Sequence, residues 1–235
     1  MISPEDAAAL KEKFAVMKKD VRIQYYVTSN CELCDTVKQL IEELNKLAGG
    51  KLKLEVKDIT EAPEPYKSLG SAGGVIEHEG HTHNVNRGPI IILGDNEEVV
   101  YLGSPVGHEG WAFVETLVML STEDPKLTSE QKDKLLSGVS ELNGRYRIET
   151  VVTPTCPYCP FAVLMANQLA IATGGKLQAE CVNAWEYPEI AEKYNVQAVP
   201  MTFVGSEPHN GKLVLEGALR DMNAYISRIL SGLSE

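Results

Sequence analysis

No stretch of this chain reaches the roughly 18 consecutive apolar residues that a membrane-spanning helix needs, so no segment is expected to cross a bilayer. Nor does it open like a secretory signal. Met1-Ile2-Ser3-Pro4-Glu5-Asp6 is acidic and no apolar run follows it, so the expected location is the cytoplasm. A surplus of positive charge is missing as well. The net charge is −11, which argues against nucleic acid and anionic membrane as partners, because both need a basic face. Cysteine is sparse: five in 235 residues, too few and too clustered for the disulfide scaffold of a small secreted protein. With 43% hydrophobic and 23% charged residues, the chain reads as globular. Its length allows one large domain or two small ones, each able to bury an adequate core.

Four of the five cysteines form two Cys-x-x-Cys pairs, Cys31 with Cys34 and Cys156 with Cys159. In a chain kept inside the cell such pairs read as redox or metal chemistry. They also mark a repeat. Arg22-Ile23 and Val27-Thr28 precede the first pair as Arg147-Ile148 and Val152-Thr153 precede the second, at the constant offset of 125 residues that separates Cys31 from Cys156. The helix-start signals Ser3-x-x-Asp6 and Thr128-x-x-Gln131 keep the same offset. Further along, Asn84-Val85 before Gly88-Pro89 matches Asn195-Val196 before Val199-Pro200, now offset by 111. The extra length of the first half falls in Ser68–Arg87, rich in Gly and His, which reads as a surface loop. Ser121–Pro125 is the expected join, giving one domain over 1–121 and a second over 122–235.

Each half is expected to run α-β-α-β-α-β-β-α. Leu10, Phe14 and Met17 recur at helical spacing, and Val37, Leu40, Ile41, Leu44 and Leu47 make one apolar stripe that Gly49-Gly50 ends. Pro89–Leu93 is a short apolar run suited to a buried strand, and Met201–Val204 with Lys212–Glu216 suit a hairpin. The fold class is therefore α/β: two tandem domains with mixed central sheets flanked by helices. The β-α-β crossover sets two strands parallel and the closing hairpin adds antiparallel ones.

A Cys-x-x-Cys at a strand-to-helix junction, followed by a proline opening the third strand, resembles the thioredoxin fold. The tandem arrangement with Cys156-Pro157-Tyr158-Cys159 resembles the glutaredoxin-like protein disulfide oxidoreductases of thermophiles, as do Glu186-Tyr187-Pro188-Glu189 and Gly107-His108-Glu109. The resemblance covers essentially the whole chain. It implies thiol-disulfide exchange on protein dithiols and disulfides, by reduction, oxidation or isomerisation. It further implies a thioredoxin-reductase-like flavoprotein as electron source, a thiol peroxidase (peroxiredoxin) as a candidate acceptor, and no cofactor beyond the two redox-active disulfides. It implies that Pro89 and Pro200 are cis prolines that face the cysteines and help hold a substrate chain.

The chemistry follows from the junction. A free thiol, with a pKa of about 8.5, is only about 3% ionised at neutral pH. The N-terminus of a helix offers unpaired N–H groups and a positive dipole end, and both stabilise a thiolate. Cys31 and Cys156 take that position and are assigned as accessible nucleophiles. Cys34 and Cys159, one turn on, resolve the mixed disulfide from within the same molecule.

Blander readings stand beside these. Two Cys-x-x-Cys pairs suit zinc by spacing, but they lie in separate repeats and at strand-helix junctions, so no metal site is expected there. His78, His81 and His83 read as a solvated loop. Cys181, on a strand, reads as a small buried thiol. Glu149 reads equally as a buried acid behind the cysteines or as an exposed strand residue. An electron carrier between a flavoprotein and a peroxidase, or a binding or chaperone module with idle cysteines, are the competing functions. Glu32, between the first two cysteines, puts a negative charge beside Cys31, whereas Pro157-Tyr158 adds none. Like charge disfavours a thiolate. The Cys31–Cys34 pair is therefore expected to be the more reducing of the two. Redox titration of two variants, each with one pair changed to Ser, checks this; a higher potential for the first pair would refute the charge argument.

Overall fold

In the computed structural model, side chains are described for residues 2–72 and 86–234, and backbone also for 75–78 and 81–84. The first half contains α1 (Pro4–Phe14), β1 (Val21–Val27), α2 (Cys34–Leu47), β2 (Leu52–Asp58), a 3-10 turn (Ile59–Glu61), α3 (Tyr66–Ser71), β3 (Val75–His78), β4 (His81–Asn84), β5 (Ile90–Leu93), β6 (Val99–Leu102) and α4 (Glu109–Thr122). The second contains α5 (Ser129–Val139), β7 (Tyr146–Val152), α6 (Cys159–Ala172), β8 (Leu177–Asn183), α7 (Pro188–Lys193), β9 (Met201–Gly205), β10 (Lys212–Glu216) and α8 (Met222–Leu233). From α1 to β2, each element recurs in α5 to β8 with the 125-residue offset read from the sequence.

Local chemistry starts these elements. The Ser3 hydroxyl accepts the Asp6 N–H, and Pro4 opens α1. Thr128 and Gln131 exchange side-chain and backbone hydrogen bonds as a full capping box before α5. Asp221 caps α8 by accepting the Ala224 N–H. Within the stretch expected to be a surface loop, the described residues include the end of α3 and the strands β3 and β4. Tyr66 anchors α3, because its buried ring sends a hydroxyl to Gln178 and Glu180 of the second half. β3 and β4 pair as an antiparallel hairpin in the register His78 to His81. The side chains of His78, His81 and His83, and Val85 altogether, lie outside the described residues.

The larger departure is that the halves do not keep separate sheets. One eight-stranded sheet runs in the order β10-β9-β7-β8-β6-β5-β1-β2. β6 of the first half pairs in parallel with β8 of the second, Val99 with Ala179 through Leu102 with Val182. Every residue of β5, β6 and β8 is buried, whereas the outer strands β2 and β10 alternate or stay open. One face of the sheet carries α1, α2, α4, α5, α6 and α8 over a core that includes Ile23, Ile41, Phe113, Ile148 and Ile226. The other face carries α3 and α7 over Tyr26, Ile90, Val151, Tyr187 and Phe203. Among the described residues, no helix is long and apolar enough to cross a membrane.

Polar side chains close the seam beyond β6 and β8. Glu186 accepts the Ser104 N–H and hydroxyl and the Asn183 amide. The buried Arg87 donates to the Glu186 carbonyl, pairs with Glu189 at 2.7 Å and lies over the Tyr187 ring. Gly103 passes this crowded point at φ +112°, where a Cβ would collide with the Glu186 carboxylate and with Asn183. Gly103→Ala is therefore expected to destabilise the protein by about 2–4 kcal/mol through combined backbone strain and overpacking. Urea denaturation checks this, and an unchanged midpoint would show that the seam yields.

Candidate redox site

The first Cys-x-x-Cys follows the end of β1. Leu33 precedes α2, whose first residue is Cys34, so Cys31 lies just off the helix N-terminus. Cys31 and Cys34 form a disulfide with Cα atoms 5.5 Å apart. Cys34 is buried and Cys31 half-buried. The buried Tyr25 of β1 donates its hydroxyl to the Cys34 carbonyl at 2.7 Å, and Asn86 accepts the Glu32 N–H at 3.2 Å. The loop before Pro89 thus reaches the cysteine turn.

The second site repeats this plan with Tyr158 before Cys159 at the start of α6, and a Cys156–Cys159 disulfide of the same 5.5 Å span. Here the helix amide is seen at work: the Cys159 N–H points at Cys156 Sγ at 3.1 Å. Cys156 is only 8% exposed, more closed than an accessible nucleophile was expected to be. Its surroundings supply the reason. α6 packs on β7 and β8 beside α4 and is buried on most sides, whereas α2 at the far end buries a single stripe. The α4 start also closes on the site, where His108 donates its N–H to the Pro154 carbonyl at 3.2 Å. Large apolar side chains nevertheless stay open in this region: Tyr158, Phe161, Trp111 and Trp185. Trp111 and Phe161 stand 5.4 Å apart, ring to ring.

The strand directions decide how the two sites relate. β1, β6, β8 and β7 all run parallel, so both cysteine turns emerge at the same edge of the sheet. Four strand steps separate β1 from β7, and at about 4.8 Å per step the sites lie roughly 19 Å apart. The two pairs cannot share one metal ion, nor can one reach the other.

The prolines differ. Val199–Pro200 is a cis peptide and Gly88–Pro89 is not, contrary to what the family resemblance implied for Pro89. The Val199 carbonyl lies 3.8 Å from Cys156 Sγ. The Gly88 carbonyl is already taken: it accepts the Thr28 hydroxyl and the Tyr187 hydroxyl, each at 2.9 Å. The sequence hides this, because Tyr187 comes from the other half.

Buried acids also lie elsewhere than expected. Glu149 is fully buried, yet it shares its sheet face with Val151 and α7, away from α6 and the cysteines. It is neither the acid behind Cys159 nor an exposed strand residue. The acid on the cysteine side is Glu109, the first residue of α4, buried with both carboxyl oxygens lacking a hydrogen-bond partner. Burial pushes its pKa up to about 8, and its charge bears on Tyr101 and Cys181. Only the stretch Gly107-His108-Glu109, noted for its resemblance, hinted at it. Cys181 is a free, buried thiol whose pKa is raised well above the usual value by burial first and by Glu109 and Glu186 next, which makes it a poor nucleophile.

With this geometry in hand, the relatives fall into place. A family model described as a thioredoxin domain matches residues 147–225. A protein disulfide oxidoreductase from Aeropyrum pernix superposes over 100% of this chain and 94% of its own, with a TM-score of 0.76 and 29% identity. The chain is a tandem thioredoxin fold. The alkylhydroperoxide reductase component AhpF from Enterococcus faecalis shares this fold at 22% identity and a TM-score of 0.73, covering 97% of this chain and 100% of that one. In sequence, the alkyl hydroperoxide reductase component of the same type from Staphylococcus aureus is 24% identical over 204 residues, 83% of this chain and 38% of that protein. The tandem fold spans about a third of the length of the curated relatives it matches. Two disulfide-forming Cys-x-x-Cys pairs on a tandem thioredoxin fold are the groups that thiol-disulfide exchange requires.

Glu109 gives the tandem fold a pH signature. From about pH 4.5 to 8 the unfolded chain releases this proton and the folded chain keeps it. Stability from this group is therefore fully present below pH 4.5 and falls with rising pH by about 1.4 kcal/mol per unit, levelling off above pH 8. Glu109→Gln is expected to remove that slope, so the variant gains on wild type between pH 5 and 8. Urea midpoints at both pH values check this, and parallel profiles for the two proteins would refute it.

Proposed function

We propose that this tandem thioredoxin fold is a protein disulfide oxidoreductase that exchanges dithiols and disulfides with protein substrates through both Cys-x-x-Cys pairs. The observation that carries the reading is the pair of 5.5 Å Cys-Cys disulfides, each at a strand-to-helix turn, on one edge of one sheet. In the reducing direction the Cys156 thiolate attacks a substrate disulfide, forming a mixed disulfide and expelling one substrate thiolate. The Cys159 thiolate then attacks Cys156 Sγ, releasing the second substrate thiolate and closing the Cys156–Cys159 bond. Two electrons pass to the substrate and the chain ends oxidised. The reverse sequence oxidises a dithiol, and stopping at the mixed disulfide permits isomerisation. The reading needs no cofactor beyond the two sulfur pairs, and a cytoplasmic setting is part of it.

The two sites divide the work in this proposal. Val199, beside Cys156 Sγ, leaves backbone groups at the mouth of the second site for an extended substrate chain, and the open aromatic side chains nearby suit apolar segments. At the first site the matching Gly88 carbonyl is occupied by Thr28 and Tyr187, so Cys31 suits small or preformed donors such as a flavoprotein reductase. Pro200 is accordingly a docking residue, and Pro89 serves chiefly to fix the turn.

A second reading, electron transfer from a flavoprotein to a thiol peroxidase, is favoured by the match to the alkyl hydroperoxide reductase component of Staphylococcus aureus. Dithiothreitol-driven insulin reduction tests the first reading. Cys156→Ser is expected to lose at least about tenfold in rate, while Cys31→Ser keeps more than about a third. Loss of activity chiefly on Cys31→Ser would reverse the assignment, and no acceleration by wild type would remove the reading. Peroxide turnover with a peroxiredoxin and a flavoprotein reductase, without insulin activity, would favour the carrier.

A further inference from the structure

Two carboxylates and an imidazole converge on the face of the sheet away from the cysteines. Glu149 of β7 and Glu180 of β8 are register partners, so their side chains stand side by side. His209, in the turn between β9 and β10, folds over them at φ +52°. Ligand atoms of the three lie within 4.8 Å of one another. His209 Nε2 and Glu180 Oε2 face each other at 3.3 Å, with side chains 8% and 0% exposed, and neither atom makes a hydrogen bond.

The remaining atoms are held in place by others. Arg147 Nε donates to Glu180 Oε1 at 2.9 Å, and the Tyr66 hydroxyl donates to the same oxygen at 2.5 Å. The His209 N–H donates to Glu149 Oε1 at 2.6 Å, and the Tyr194 hydroxyl donates to Oε2. Outer hydrogen bonds of this kind orient the ligands of metal sites. The charge count allows an ion: Arg147 and a protonated His209 balance the two buried carboxylates, and a divalent cation would take the place of the imidazolium proton between His209 and Glu180. The 3.3 Å gap between Nε2 and Oε2 is close to the edge of a tetrahedron of ligands about 2.0–2.1 Å from zinc. An imidazole with two carboxylates suits a first-row divalent ion better than magnesium or calcium, which prefer all-oxygen sets.

We propose that Glu149, Glu180 and His209 form a zinc site, three protein ligands with one position for water, that staples the β9–β10 turn to the sheet. It is separate from the redox chemistry and does not depend on it. The test uses the full chain with both cysteine pairs closed as disulfides, so that no Cys-x-x-Cys thiolate competes; the remaining thiol, Cys181, is buried. Calorimetric titration with zinc is expected to give one ion per chain and a raised Tm. His209→Ala should weaken binding by more than the about 100-fold that loss of an outer hydrogen bond costs a metal site. A variant with His78→Ala, His81→Ala and His83→Ala should keep it. Cobalt(II) bound to the wild type should show the intense visible bands of a tetrahedral site, a readout that needs no variant to fold. The proposal is overturned if oxidised wild type binds no stoichiometric zinc, if cobalt is octahedral, if folded His209→Ala binds as wild type does, or if the triple histidine variant loses the ion.

Discussion

The parallel pairing of β6 with β8 is the contact on which the rest of this structure depends. Without it each half would end in an exposed edge strand, an open row of amides and carbonyls that invites pairing with other chains. With it, two four-stranded sheets become one, whose outer strands are β2 and β10. The pairing also fixes direction. Because β6 and β8 run parallel, β1 and β7 run parallel too, and both cysteine turns are forced to the same rim. An antiparallel junction would have sent the two redox sites to opposite ends of the molecule. The position of the chemistry thus follows from four residue pairs that include none of the redox sulfurs.

The same junction makes two equal motifs unequal. The second site sits further in, on the third strand from its edge of the joined sheet, with α6 enclosed by α4 and by the core, and its sulfur is correspondingly shielded. The first sits next to the outer strand β2, with α2 covering one face. Residues from the second half also reach into the first: Tyr187 takes the Gly88 carbonyl and Glu186 takes the Ser104 turn. The converse reach comes from Tyr66, which enters the second half at Glu180. Gene duplication would give two identical sites, and the seam is what differentiates them. Access to each sulfur pair is set by this packing.

Much of this was legible in the sequence because it is local. The capping box at Thr128, the Ser3 cap of α1, the apolar stripe of α2 and the continuous run of β5 all depend on neighbours a few residues away, and each of these elements appears where its pattern placed it; at the start of α1 the expected capping box is only a one-sided cap, because Asp6 does not return a bond to the Ser3 N–H. What was hidden depends on partners from other elements, from 29 residues away (Glu180 to His209) to 114 (Tyr66 to Glu180). β8 reads as Leu-Gln-Ala-Glu-Cys-Val-Asn, an alternation that suggests one wet face, yet Gln178 and Glu180 are buried because α3 and the β9–β10 turn cover them. Periodicity reports which residues share a face; it does not report what lies on that face. For the same reason Glu149 could be placed on its strand but not given its surroundings, and Glu109 drew no notice as a buried acid, since one acidic residue at a helix start is the commonest of signals.

Buried charge therefore marks where this fold is specified by more than hydrophobic burial. Arg87, Glu186 and Glu189 are gathered at the seam, and Arg147, Glu149, Glu180 and His209 on the face of β7 and β8 away from the cysteines. Replacing such groups by apolar side chains is often neutral for stability, whereas removing one partner alone is severe. Their effect is thus on which arrangement forms. An apolar seam between two similar sheets would tolerate a slip in register by two residues, since that slip keeps every side chain on its own face and would set Val99 opposite Leu177 or Cys181. A carboxylate that must find the Ser104 N–H and an arginine that must find Glu189 do not tolerate it. The register of β6 against β8 is thereby pinned by polar contacts at its end, and with it the distance between the two redox turns.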